Sequence, residues 1–100
     1  MPVLAISKIQ DSATPEKMGP HLAEEVKHTL EAYLDGKIRN FWFKIGSMGV
    51  VLMLESADEN EARSIINELP LVVAGLIDFD LIPLQSLKPL GMLIGRDMTS

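Results

Sequence analysis

The same order of sequence patterns occurs twice in this chain, and this repetition constrains the fold more than any other feature. In the second half, a helical pattern ends at Leu69-Pro70-Leu71, an apolar link runs to Leu76, and an alternating segment follows at 77–84. The first half likewise places a helical pattern between two strand-like segments. Right-handed crossovers turn the order β-α-β-β-α-β into a four-stranded antiparallel sheet with both helices on one face. The sequence therefore predicts one α+β domain of the ferredoxin-like type over residues 1–84.

Both helices have recognisable starts. Thr14 and Pro15 are typical of a cap and a first helical position, and Gly19-Pro20 predicts a kink or a separate first turn. Asp58 can cap the second helix while Glu61 reaches back. The apolar positions expected to face inward are Met18, Leu22, Val26, Leu30 and Leu34 in the first helix and Ala62, Ile65, Ile66 and Leu69 in the second. The predicted strands are 3–9, 38–45, 50–55 and 77–84.

The third strand is apolar on both of its faces, with Leu52 and Leu54 on one side and Val51 and Met53 on the other. A sheet with one face in water should instead alternate apolar and polar residues. The second face is therefore expected to be covered by the same face of a second copy. An apolar tail, 85–100, either packs on a neighbouring subunit or closes its own domain.

Composition excludes several classes of protein. The net charge is −5 and no Lys or Arg is adjacent to another, which argues against nucleic-acid binding. The absence of cysteine excludes disulfides, thiolate metal sites and a cysteine nucleophile. No apolar run is long enough for a membrane span or a signal peptide. The sequence thus predicts a cytoplasmic protein without nucleic-acid or membrane partners.

Several short motifs occur in an order that points to a known family. These motifs are Gly36-Lys37, then Arg39 and Trp42 on strand two, and Leu69-Pro70-Leu71 after the second helix. Through these residues the chain resembles the dimeric α+β barrel superfamily, and within it the muconolactone isomerase-like family. The resemblance covers about residues 3–84. It implies two ferredoxin-like units packed sheet to sheet, as a homodimer or a larger ring. It also implies an isomerase-like enzyme that moves a proton on a small molecule without a cofactor.

The chain departs from this family in a short hairpin after strand two, in its tail, and at Asn40, where the family leads us to expect a histidine. Because a fold alone does not transfer chemistry, two functional hypotheses stay open. The first is a small-molecule enzyme or ligand-binding protein with a pocket between the sheet and the first helix. The second is a non-catalytic oligomerising or regulatory module whose sheet face is entirely interface.

The predicted catalytic residues are His28, Asp78 and Asp80. His28 is a candidate because histidine is the usual proton shuttle near neutral pH, while the alternative that its position favours is a boundary histidine on a solvated helix flank. Asp78 and Asp80 are two apart on strand four and share one face. Inside a barrel, one of two neighbouring carboxyl groups would resist ionisation and act as a base, whereas at a surface both would form ordinary ion pairs. No metal is predicted, since His21 and His28 are seven apart and have no third ligand.

The predicted substrate-binding residues are His21, Arg39 and Trp42. The Arg39 guanidinium could hold an anionic group through a forked pair of hydrogen bonds. Its alternative role is an ion pair with Glu55 or Asp80 across the sheet. For Trp42, a place in the core or in a subunit interface is favoured over a role as a stacking platform for a ligand.

Overall fold

The computed structural model describes residues 1–96 and contains one antiparallel sheet of four strands in the order β2-β3-β1-β4. The strands are β1 (Pro2–Ile9), β2 (Ile38–Phe43), β3 (Val50–Glu55) and β4 (Ile77–Pro83). The helices are α1 (Pro15–Met18), α2 (Leu22–Leu34), α3 (Glu59–Asn67) and α4 (Pro70–Val73). The predicted α+β fold and its order of strands and helices are confirmed. None of the described helices is both long and apolar enough to cross a membrane.

Both predicted helix caps form. The Thr14 hydroxyl oxygen accepts a hydrogen bond from the Lys17 N–H at 3.2 Å. Asp58 Oδ1 accepts the Glu61 N–H at 2.8 Å, and Glu61 Oε2 accepts the Ala57 N–H at 3.3 Å. These bonds satisfy N–H groups that a helix start leaves without an intrahelical partner.

Some boundaries differ in detail from the sequence expectation. Helix α3 ends at Asn67, before the predicted stop at Pro70, and Pro70 instead begins the short helix α4, since its fixed φ suits a first helical position. Strand β2 ends at Phe43, two residues earlier than predicted, where the chain turns into the hairpin. The expected interruption of the first helix is a 3₁₀ turn at Gly19–His21. The tail contains a second 3₁₀ segment, Lys88–Ile94, which the sequence did not predict.

The buried core lies between the sheet and helices α3 and α4. Pairing of Ala5 with Leu52 and of Ser7 with Phe79 places these side chains on the face that the helices cover. The largest fully buried side chains are Phe79, Ile38, Leu54, Ile66 and Val3. Helix α2 contributes no buried residue to this core.

The opposite face of the sheet carries no helix. Cross-strand pairs join Leu4 to Met53 and to Ile82, and Val51 to Trp42. We call this apolar surface the open face; its residues are Leu4, Ile6, Trp42, Val51, Met53 and Ile82. None of them is fully buried. The open face is thus the uncovered apolar surface that the pattern of strand three predicts.

The tail extends the molecule beyond the sheet. The chain measures 57 × 27 × 20 Å, and its radius of gyration of 16.2 Å exceeds the value of about 13 Å typical of a compact 100-residue domain. Five apolar tail residues are exposed: Leu87, Leu90, Met92, Leu93 and Ile94. Packing of the tail on a neighbouring subunit stays a prediction, and its last four residues, 97–100, lie outside the described residues.

Candidate functional site

A cavity of about 630 Å³ lies between α2 and the helix-facing side of the sheet. This volume is within the range of about 300–1,000 Å³ found for small-molecule pockets. Strand residues form its floor: Ser7, Val50, Leu52, Ile77 and Phe79. Helix α2 forms one wall with Leu22, Glu25, Val26, Thr29 and Leu30. The cavity therefore occupies the place where the sequence predicts a pocket, between the sheet and the first helix.

The cavity exists because α2 does not pack tightly on the sheet. Leu22 and Val26, which belong to the apolar stripe of this helix, remain 42% and 56% exposed. In contrast, Ile66 of α3 is 0% exposed. The two helices have similar apolar patterns, but only α3 closes against the sheet.

Two contacts hold α2 in this position. Near its start, Glu25 Oε1 accepts the Leu71 N–H at 2.9 Å and joins α2 to α4. Near its end, the Tyr33 ring meets the Phe41 ring of β2 edge to face, with centroids 5.6 Å apart and planes at 84°. Because these anchors lie near opposite ends of the helix, its middle spans the sheet and leaves the cavity beneath it.

Glu25 is the charged side chain of the cavity. Among the wall residues that the structure describes, no other carries a formal charge. Burial raises the pKa of the Glu25 carboxyl, whereas the hydrogen bond from the Leu71 N–H and the attraction of His28 lower it in part. A carboxyl group that is desolvated in an apolar cleft is a candidate for general acid–base chemistry.

Ser7 offers a hydrogen-bond donor on the cavity floor. It is 3% exposed, and its Oγ accepts the Val50 N–H at 2.8 Å. Its carbonyl oxygen accepts a bond from Lys44 Nζ at 2.8 Å. No group within residues 1–96 accepts the Ser7 hydroxyl proton, so this proton is available to a ligand oxygen. The Thr29 hydroxyl, by contrast, already donates to the Glu25 carbonyl at 2.8 Å.

The structure separates the predicted substrate-binding residues from one another. Arg39 lies beside a smaller depression of about 350 Å³ near the start of β2, away from the main cavity. His21 and His28 do not line the main cavity, and within residues 1–96 they belong to no cluster of three possible metal ligands. Trp42 borders the cavity, while strand alternation places its side chain on the open face.

The predicted catalytic acids lie outside the cavity. Asp78 and Asp80 share one face of β4, as expected, but this is the face without helices. Asp78 Oδ1 lies 3.2 Å from Arg63 Nη1, and Asp80 Oδ1 lies 2.9 Å from Lys8 Nζ. The bond to Asp80 also raises the pKa of Lys8. Within this chain both acids therefore act as ion-pair partners.

The alternative role considered for Arg39 is not seen in the single chain. Glu55 Oε1 lies 2.9 Å from the N-terminal amine of Met1, and Asp80 pairs with Lys8. Both candidate partners of Arg39 are thus paired with other groups, and the described chain shows no ion pair between Arg39 and either of them.

Sequence reasoning missed Glu25 and Ser7, although each carries a weak signal. Glu25 follows Leu22 by three residues and precedes Val26, so helical spacing places it beside the apolar stripe. Ser7 alternates with Val3 and Ala5 on the buried face of β1. What the pattern lacked was any sign that α2 stands away from the sheet.

The raised pKa of Glu25 predicts a dependence of stability on pH. The folded chain holds the proton of the Glu25 carboxyl more tightly than the unfolded chain, in which this carboxyl has its ordinary pKa of 4.5. The stabilising contribution is therefore complete below that value and is lost as the pH rises through the raised pKa. Relative to Glu25→Gln, wild type should lose a modest amount of unfolding free energy as the pH rises from below 4.5 through the raised pKa of Glu25. Urea unfolding at several pH values measures this difference, and a difference that stays constant with pH would contradict it.

Comparison with known proteins identifies the fold. The dehydrochlorinase of 5-chloro-2-hydroxyhydroquinone from Burkholderia phenoliruptrix AC1100, solved with 2,5-dihydroxybenzoquinone, matches with a TM-score of 0.71 and 18% identity over 89% of this chain and 98% of that chain. Muconolactone isomerase matches with a TM-score of 0.71 and 17% identity over 86% of this chain and 90% of that chain. At these identities the two matches show a shared fold, and the predicted α+β fold with a four-stranded antiparallel sheet is confirmed as the fold of these proteins. No protein-family model matches the sequence, and a search of curated proteins finds no match.

Proposed function

We propose that this chain, with the subunit fold of dimeric α+β barrel proteins, is an enzyme that moves a proton on a small cyclic molecule held under α2. The observation that carries this proposal is the placement of Glu25, a half-buried carboxyl in an otherwise uncharged wall. Desolvation brings the pKa of a carboxylate closer to neutrality, where it can both accept and return a proton.

The wall residues suffice for a balanced proton transfer. The Glu25 carboxylate takes a proton from a C–H bond beside a carbonyl, and the bonding electron pair becomes an enolate. The Ser7 hydroxyl donates a hydrogen bond to the enolate oxygen, where negative charge develops. Glu25 then returns the proton to another carbon of the conjugated system. The substrate is isomerised, the enzyme is regenerated, and no electron acceptor is consumed.

The two structural neighbours support the coarse class of substrate. Their names give a lactone and a hydroxylated, chlorinated hydroquinone, which are both small cyclic molecules. We carry over this class and neither specific reaction, because identities of 17–18% reflect a common fold alone.

Self-association is part of the proposal. The open face presents apolar residues of all four strands on one side of the sheet, with Asp78 and Asp80 on the β4 edge of that side, and a second copy covers a surface of this kind in a homodimer. This surface suits the non-catalytic module as well as the enzyme. The cavity distinguishes the two, since a module whose interface is the sheet has no use for an apolar pocket with a desolvated acid beneath α2.

Hydrogen–deuterium exchange tests the proposed chemistry directly. The full-length protein is incubated in D₂O with a panel of small lactones and hydroxylated quinones, and proton NMR follows the loss of individual C–H signals. We expect at least one panel member to exchange faster with native protein than with buffer or heat-denatured protein. Buffer-level exchange for the entire panel would count against a proton-transfer enzyme and favour the module.

A further inference from the structure

We infer that Glu25 makes this cavity selective for uncharged ring compounds and excludes organic anions. The inference rests on the proposed function of the cavity and deepens it by naming the charge of the substrate. It also replaces the sequence-based expectation that Arg39 anchors an anionic group.

The charge of the residues that line the main cavity supports this inference. Within residues 1–96, no lysine, arginine or histidine lines the cavity, and Glu25 is one of its wall residues. An organic anion would lose its hydration there without gaining a cationic partner, and it would meet a like charge.

Lys44, His28 and Arg39 lie outside the wall of the cavity. Lys44 Nζ is held by the Ser7 carbonyl and is not part of the wall. His28 is also outside the wall, although its attraction acts on the Glu25 carboxyl. Arg39 belongs to the separate depression near the start of β2.

An uncharged ring fits the remaining surface. Leu52 and Phe79 form part of an apolar floor, and Phe41 and Phe43 line the cavity from β2. Phe43 is 79% exposed, so its ring is accessible for stacking with an entering aromatic molecule. The Ser7 hydroxyl then supplies a single donor for a carbonyl or hydroxyl oxygen of the ligand.

A set of probes with one ring system and different charges tests the inference. The probes are 2-naphthalenemethanol, which is neutral, and 2-naphthoate, which is anionic. Their affinities for the full-length protein are measured by ligand-observed NMR titration at pH 8, where the naphthoate is ionised. Because naphthoate is intrinsically better hydrated, the decisive quantity is the change of the affinity ratio in Glu25→Gln.

We expect wild type to bind the alcohol at least about tenfold more tightly than naphthoate, and Glu25→Gln to reduce this ratio severalfold by improving naphthoate binding. Glutamine keeps an oxygen that can accept the Leu71 N–H, so the anchor of α2 is retained. Glu25→Met gives the same readout if the glutamine variant does not fold. Glu24→Gln is the matched control, because Glu24 is exposed on the same helix and outside the cavity.

The outcomes separate the inference from the proposed function. Equal binding of both probes, or a ratio that Glu25→Gln leaves unchanged, would overturn charge selection while the cavity remained a ligand site. If neither probe binds, the inference is overturned and the result also counts against a ligand-binding cavity.

Discussion

Replacing Glu25 by glutamine is expected to slow proton exchange of a substrate by about 10²- to 10⁴-fold, the usual contribution of a general base. An amide cannot accept the proton, but its oxygen can still accept the Leu71 N–H that joins α2 to α4. The fold and the cavity should therefore persist. Because the lost interaction belongs to the proton transfer, kcat should fall with little change in KM.

The control for this experiment is Glu24→Gln, which removes an exposed carboxylate one residue earlier on the same helix. It should exchange protons at the wild-type rate. A Glu25→Gln variant that is folded and as fast as wild type would assign the chemistry to another group. Glu25 would then serve only to connect α2 with α4.

The second large effect is expected at the open face. Met53 lies on β3 within this apolar surface, paired with Leu4 of β1. If a second copy covers the sheet, Met53→Lys places an ammonium group in an interface without a partner, at a cost of several kcal/mol. We expect the mass in solution to fall from at least twice the chain mass of 11.0 kDa to that mass itself. Light scattering coupled to size-exclusion chromatography measures the change.

Val73→Lys provides the matched control for this substitution. Val73 is 72% exposed on α4, on the side of the sheet that carries the helices. The same charge introduced there should leave the oligomer intact. A monomeric wild type, or a Met53→Lys variant of unchanged mass, would show that the sheet is not the subunit interface.

Much of the fold was predictable because its signals are local. Thr14 and Asp58 cap helices through N–H groups only three residues away, so the sequence alone locates both starts. The alternation of β3 places Leu52 and Leu54 in the core and leaves Met53 on the opposite face. The same local pattern predicted an uncovered apolar sheet face.

The candidate site was less predictable because it depends on contacts between distant parts of the chain. Asp78 and Asp80 share a face as expected, but Arg63 and Lys8 decide that both are ion-paired. Glu25 gains its raised pKa from burial, and the Leu71 N–H that it accepts lies 46 residues away. The sequence pattern within a single helix or strand cannot predict contacts with such distant residues.

The sequence by itself therefore determined the order of strands and helices, the helix caps and the apolar character of both sheet faces. Those properties follow from hydrogen bonds and side-chain periodicities that span a few residues. Only the tertiary structure decided that α3 packs on the sheet while α2 stands over a cavity of about 630 Å³. The reason is that desolvation of a side chain depends on which surfaces pack against it. Glu25 is one of several acidic residues in its helix, and it is the charged group of the site because the fold partly buries it.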